Sequence, residues 1–356
     1  MDNPRDQRRE RITGAQVLSG IRVTQPVLER LHQVHTHFLK GIRNGRKLVM
    51  RRCDLSELDF TDMDFSYAEM LACKFKGSKL RGALFRSANL FAADFSESDL
   101  SGSNFGKANL RAATFERADL TDAEFEGADL RECAFIDDET NEVGKAIAST
   151  FRGAMLRGTN MAQSKLKNAN FNGAVLDRTN LTNADMRETH FQGAEFVNAN
   201  LNGARLGNAD LRGAALTGMD LTEIDLSSAK TATEVSISDE WLREKLDAHQ
   251  LWVTTSGASG ERADFVGLNL SGRNLAGAIL AVADFEAATL IDANLTGALL
   301  AAANLRGANL MRADLSGADL RGADLLDTNM RDANFKDCKT GKLPGTDLIT
   351  LLKKAG

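Results

Sequence analysis

Three clustered histidines and four scattered cysteines are the side chains of this 356-residue chain best suited to holding a metal or acting as nucleophiles. His32, His35 and His37 make an H-x-x-H-x-H run, and imidazoles so placed can ligate zinc. A helix sets residues three and four apart on one face but not residues two apart, so His35 and His37 diverge. His249 lies in a matching segment, Ala248-His249-Gln250-Leu251-Trp252-Val253 against Val34-His35-Thr36-His37-Phe38-Leu39. A histidine repeated in this way reads as a packing or capping residue, and no metal is expected. Cys53, Cys73, Cys133 and Cys338 all fall in one phase of a repeat, in a slot that from Ala68 to Cys133 is held only by Ala, Ser or Cys. They read as small buried side chains with no disulfide or ligand spacing, and His190 reads as solvated. The chain has no G-x-S-x-G, P-loop or dinucleotide fingerprint. Its carboxylates are numerous but have no apolar pocket to shift their pKa values. No catalytic residue and no cofactor are expected, and the chain reads as no enzyme.

The elements that carry these residues follow a period of five. From Leu55 through Phe60, Phe65 and Met70 to Leu130 and Phe135, a large apolar residue stands at every fifth position. A second run extends from Phe151 to Leu226 and a third from Phe265 to Phe335, giving 48 centres in all. The residue two before a centre is mostly small, the one immediately before is mostly Asp or Asn, and the two after are often Ser-Gly, Arg-Gly or Asn-Gly. Small and large residues then point inward, the residue between them points outward, and the last two turn a corner. One large side chain per five residues buries nothing alone, so the units must coil and stack into a β-solenoid. Phenylalanine at 65, 75, 85 and on to 135, with leucine at 80, 90 and on to 130, forms pure columns only if each coil has an even number of sides.

Ala313-Asp314-Leu315-Ser316-Gly317, Ala303-Asn304-Leu305-Arg306-Gly307 and Ala118-Asp119-Leu120-Thr121-Asp122 resemble the pentapeptide-repeat family. That resemblance implies an all-β solenoid, a right-handed quadrilateral β-helix with four pentapeptides per coil, here about twelve coils with short capping helices.

Two segments break the pattern. Residues 136–150 replace two expected sides, add one residue and predict a protruding loop. Residues 227–264 hold Ser238, a plausible N-cap, ahead of Leu242, Leu246 and His249 on one face, which predicts a helix of about four turns. The expected organisation is a basic arm and cap helix over 1–47, a first β-helix over 48–230, a cap or linker helix over 231–262, a second β-helix over 263–340 and a short C-terminal helix within 341–356. Each cap covers a sheet edge that would otherwise invite aggregation; the alternative is a single continuous rod with the middle helix pinned to its side. The C-terminal helix is placed to close the last edge or to pair two chains as a homodimer.

Composition agrees with a soluble protein, at 43% hydrophobic, 26% charged and a net charge of -5. No run of about 18 apolar residues and no apolar stretch behind the N-terminal arginines is present, so a cytoplasmic protein is expected. Charge is uneven. Residues 1–47 hold 10 Lys or Arg against 4 Asp or Glu, with Arg5, Arg8, Arg9 and Arg11 in the arm. Residues 116–142 hold Glu116, Asp119, Asp122, Glu124, Glu126, Asp129, Glu132, Asp137, Asp138, Glu139 and Glu142 against only Arg117 and Arg131. The acidic belt reads as a solubilising surface or as a docking site for a basic protein partner, and the leading reading is a non-catalytic scaffold or adaptor.

A second reading comes from the resemblance alone. Quinolone-resistance members of the family mimic duplex DNA and bind DNA gyrase, which makes gyrase a lower-ranked candidate partner. Against it, residues 151–230 carry 9 basic and 8 acidic residues where a mimic wants a continuous acidic stripe. Direct contact of the arm with nucleic acid or a membrane ranks lowest, because Asp2, Asp6 and Glu10 dilute its field.

Overall fold

The computed structural model describes residues 17–134, 146–218, 224–231 and 238–343. Its named elements are short strands β1 (Val17–Ser19), β2 (Val49–Arg51), β3 (Glu69–Leu71), β4 (Val175–Asp177), β5 (Glu195–Val197) and β6 (Ala215–Thr217), with helices α1 (Gln25–Leu39) and α2 (Asp239–Thr254). Two three-stranded sheets run in the orders β1-β2-β3 and β4-β5-β6. Elsewhere the chain pairs through single parallel bridges whose register advances by twenty residues, as in Asp54 to Lys74 to Asp94 to Thr114 and Asp264 to Asp284 to Asn304 to Asp324. The fold is a parallel β-solenoid.

Each five-residue step carries a corner. The carbonyl of a centre accepts the N–H three residues on, for example Phe60 O from Met63 N at 3.0 Å. The residue two after the centre has positive φ, from Glu57 at 64° to Gly127 at 67° and again from Gly267 at 66° to Asp337 at 59°. That is the type II turn pattern, which glycine meets freely. Glu57, Tyr67 and Arg117 adopt the same left-handed conformation at a cost of about 1 kcal/mol each. The corner N–H offsets this by bonding to the next coil, as Glu57 N does to Lys76 O at 3.0 Å.

The slot before each centre explains its own composition. Asp or Asn there accepts the N–H two residues on, Asp54 from Ser56 at 3.1 Å and Asn274 from Ala276 at 3.2 Å, a local bond that these short side chains make best. Where Arg follows the centre it forks back onto the same carboxylate, as in Arg187 on Asp185 and Arg321 on Asp319. Ser78, Ser98, Ser149, Thr159, Thr179 and Thr189 in the small slot donate to a centre in the coil before, Ser98 Oγ to Phe75 O at 2.6 Å.

Phenylalanine columns run through the first stack. Phe75, Phe95, Phe115, Phe151 and Phe171 follow one another at 4.4–5.1 Å between ring centroids, and Phe85, Phe105 and Phe125 at 4.9–5.2 Å. Stacking adds roughly 0.5–1.5 kcal/mol per pair to area burial. Phe151 continues the column beneath Phe115. The register there steps by 36 residues, Thr114 to Thr150 and Asp129 to Lys165, instead of twenty. The insertion therefore adds sixteen residues and removes no side, which corrects the expectation that two sides are replaced. Its neck is an antiparallel bridge between Cys133 and Ile147, and 135–145 lies outside the described residues.

The chain divides into two compact units, Met1–His190 with Phe196–Ala209 and Thr217–Ser228, and Phe191–Glu195 with Asp210–Leu216 and Ala229–Gly356. In the second unit the core is mostly leucine, Leu270 to Leu320 around Phe265 and Phe285, and Leu242 of α2 joins it. Cys53 and Cys73 are fully buried, and burial beside Cys53 pushes the Cys73 thiol up to about 12. Cys133 and Cys338 are only half-buried, contrary to the expectation of four buried thiols: Cys133 sits at the neck of the insertion and Cys338 near the end of the last repeats.

Candidate functional site

The acidic residues of the belt occupy one coil and do not converge. Asp119, Glu124 and Asp129 precede successive centres, so they lie on three successive sides and bridge to Met155, Asn160 and Lys165 respectively. Glu116 pairs with Arg152 at 3.5 Å, Glu124 accepts from Asn160 at 2.8 Å, and Glu132 accepts from Asn168. Asp129 is held by Arg131 in two bonds of 2.8–2.9 Å. Burial works to raise its pKa, but those bonds, with Arg131 and Lys165 charges nearby, outweigh it and leave the carboxyl below the usual range. Arg117 turns to Glu97 of the preceding coil at 2.6 Å. Asp119, Asp122, Glu126 and Glu132 remain exposed. Asp137, Asp138, Glu139 and Glu142 lie outside the described residues, as do Arg5, Arg8, Arg9, Arg11 and the C-terminal helix expected near Asp347. The described part of the belt is thus a ring with much of its charge engaged.

The histidines belong to a different device. His35 is fully buried. Its Nδ1 accepts the Leu48 N–H at 3.1 Å and its Nε2 meets Ser66 O at 3.0 Å. An N–H donor on Nδ1 fixes the proton on Nε2, which donates to the carbonyl. Burial, opposed by the Ser66 bond and Asp64, pushes the His35 pKa down, so the ring is neutral. Beside it, His32 Nε2 accepts the Asp64 N–H at 3.1 Å. Gln25 both donates to Asp59 O at 2.9 Å and accepts from Asp59 N at 3.0 Å. Backbone donors of the first coil at Asp54, Asp59 and Asp64 are therefore met in turn by Ile21 O, Gln25 and His32. Helix α1 closes a sheet edge with side chains that act as strand backbone.

Helix α2 repeats the arrangement. His249 Nδ1 accepts from Ala263 N at 3.0 Å and Nε2 meets Ala281 O at 3.1 Å, and burial pushes its pKa down too. His35 stacks on Phe38 and His249 on Trp252 at 5.6 and 5.7 Å. Arg46 N bonds to Val34 O and Glu261 N to Ala248 O. Gly45 and Gly260 each approach the helix so closely that a Cβ would lie 2.2 Å from Phe38 N or Ala248 O. Ser238 caps α2 by accepting from Trp241 N at 3.0 Å. The local match between the two segments announced this duplication. Gln25, Gly45 and Gly260 went unnoticed because a one-residue difference in spacing separates the two copies. His190 is exposed, as expected.

Among known proteins, residues 49–125 and 68–144 match the pentapeptide repeat region, and 148–183, 189–227, 263–300 and 298–337 match pentapeptide repeats of eight copies. No curated protein sequence matches the chain. Among solved structures, it is similar to HetL, a pentapeptide repeat protein involved in heterocyst differentiation regulation from the cyanobacterium Nostoc sp. strain PCC 7120. Identity is 21%, covering 89% of this chain and 96% of that one, with a TM-score of 0.23. It is also similar to full-length QnrB1, a plasmid-mediated fluoroquinolone resistance protein, at 16% identity over 82% of this chain and 98% of that one, with a TM-score of 0.20. The third is Rfr23 from the cyanobacterium Cyanothece 51142, at 18% identity over 46% and 92%, with a TM-score of 0.23.

Proposed function

The chain belongs to the pentapeptide-repeat family, and from that premise we propose that it is a non-catalytic scaffold. In this reading it is a right-handed quadrilateral β-helix of about twelve coils, working in the cytoplasm, that presents charged faces to protein partners. The observation that carries the reading is the engagement of its polar side chains by the fold itself. Asp54, Asp314 and Asp225 are held by Ser56, Ser316 and Ser227 of their own corners, with pKa values below the ordinary carboxylate range. Among the described residues, every carboxylate whose pKa is displaced is displaced downward, the wrong direction for a general acid at neutral pH. A stack so braced loses little entropy on binding. The exposed Asp119, Asp122, Glu126 and Glu132 are the surface proposed for a basic protein.

The test compares wild type with a variant carrying Asp119→Lys, Asp122→Lys, Glu126→Lys and Glu132→Lys, after circular dichroism shows the same β content. A protein recovered from native lysate by wild type and lost from the variant supports docking at the acidic coil. Identical recovery by both excludes that coil as the docking site. Inhibition of gyrase supercoiling by wild type alone would favour the gyrase-modulator reading instead.

A further inference from the structure

The two caps share a skeleton but not an outer face. At corresponding places α2 carries Lys245 and the following loop carries Glu261, which pair at 3.2 Å, with Lys245 also 6.0 Å from the Trp241 ring centre. The first cap has Leu31 and Arg46 there, so no such pair can form. In its place an open cavity of about 280 Å³ is walled by Leu18, Leu31, Val34 and Leu48, with Arg46 and Lys47 at its rim. The space suits one or two large apolar side chains better than a drug-sized ligand.

An apolar stripe leads into it. Leu31, Val34 and Phe38 share one face of α1 by helical spacing, Val34 and Phe38 are 40% and 38% exposed, and Ile42 just beyond is 47% exposed. A monomer gains nothing by showing such a stripe to water, and rimmed apolar surface of this kind marks interaction sites. The charge around it is mainly basic, with Lys47 paired to Glu69 at 2.7 Å. Residues 17–52 hold eight Lys or Arg against the single acid Glu29, and Arg22, Arg30, Lys40, Arg43 and Arg46 are exposed.

We propose that this cap groove binds an acidic amphipathic segment of a partner protein, its apolar side chains entering the cavity between Leu31, Val34 and Leu48 and its carboxylates meeting Arg46 and the surrounding bases. Nucleic acid fits less well, because phosphates satisfy the rim and leave the apolar walls wet. Basic charge at the rim steers the acidic segment in, and the apolar stripe holds it, as in helix-in-groove recognition. The surface is separate from the acidic coil, so the two readings fail independently.

The second cap supplies the disabling substitutions. Leu31→Lys with Arg46→Glu transplants the Lys245–Glu261 pair into a skeleton shown to accept it, which keeps the variant foldable. Thermal melts of both proteins check this, and Val34→Ser provides a milder alternative. The probes are a fluorescein-labelled helical peptide of Glu and Leu with Leu in the i, i+3, i+4 pattern, the same peptide with Gln for Glu, and a labelled single-stranded oligonucleotide. Fluorescence anisotropy at about 0.15 M salt reads binding. The expected result is saturable binding of the Glu-Leu peptide, weakened about tenfold or more by the transplanted pair, by Val34→Ser and by Gln for Glu. Binding that survives the transplanted pair, oligonucleotide binding as tight as the peptide's, or no saturable peptide binding would overturn the proposal.

Discussion

The two caps answer one physical problem with one skeleton and then part company. Each places a buried histidine between a backbone N–H and a backbone carbonyl, packs an aromatic residue three positions on, and brings a glycine against the helix. Those positions are dictated by unpaired strand groups, which cost about 1–3 kcal/mol each if buried without partners. The outer positions face no such demand. One cap fills them with a Lys–Glu pair, while the other leaves an apolar groove among bases. Architecture is fixed where the backbone needs a partner, and function is free to differ where it does not.

Removing the shared histidine should break both caps hardest. His35→Ala and His249→Ala each strand two backbone groups and open a cavity, and each should cost about 3–4 kcal/mol in urea unfolding. His35 should lie at the upper end, since its ring also stacks on Phe65 at 5.9 Å. Equal losses below about 1 kcal/mol would show that the rings are fillers, not backbone partners. Gly45→Ala and Gly260→Ala come next at about 2–3 kcal/mol, because the new Cβ meets helix backbone that cannot yield. Gly260 should be the worse site, since its φ of +81° adds left-handed strain.

Acid should loosen both caps together. The folded pKa values of His35 and His249 are lowered from 6.5, by burial above all, so the unfolded chain binds the extra protons. The stability these groups contribute is present above about pH 6.5 and is lost as pH falls from there toward the folded values, by at most about 1.4 kcal/mol per pH unit per histidine. Asp64 and Lys47 near His35, and Arg262 near His249, modify the depth of each shift. Urea midpoints for wild type between pH 7.5 and 5 should fall, and a His35→Gln, His249→Gln protein should show a flatter dependence. Gln25→Ala should cost about 1 kcal/mol because two backbone bonds are lost. Asp239→Ala, at the same helical position but in an exposed pair with Arg273, should cost under about 0.5 kcal/mol.

Much of this was legible in the residues. The period of five, the inward small and large slots and the corner positions follow from side-chain size and turn chemistry alone, and positive φ falls where the glycines recur, as at Gly77 and Gly317. The register across the insertion was not legible, because Phe135 and Phe151 both satisfy the pattern and only stacking beneath Phe115 decides between them. The histidine pair was visible as a repeat. Its partners were not, since Ser66 and Ala281 are backbone acceptors that any residue could supply. The acidic belt was visible as a run in sequence, yet five-residue sides distribute a run around a coil. The groove escaped notice because Leu31, Val34 and Phe38 read equally well as the buried face of a cap.

The central claim is that α1 supplies hydrogen-bond partners to the first coil's open edge. Amide hydrogen exchange resolved by residue at pH 7.5, comparing wild type with His35→Ala, addresses it most directly. The account predicts that Leu48, Asp59 and Asp64 amides are protected in wild type and lose protection in the variant, while mid-stack amides such as Asn109 and Thr114 keep theirs. Unchanged protection at Leu48 in the variant, or an edge that exchanges freely in wild type, would contradict it.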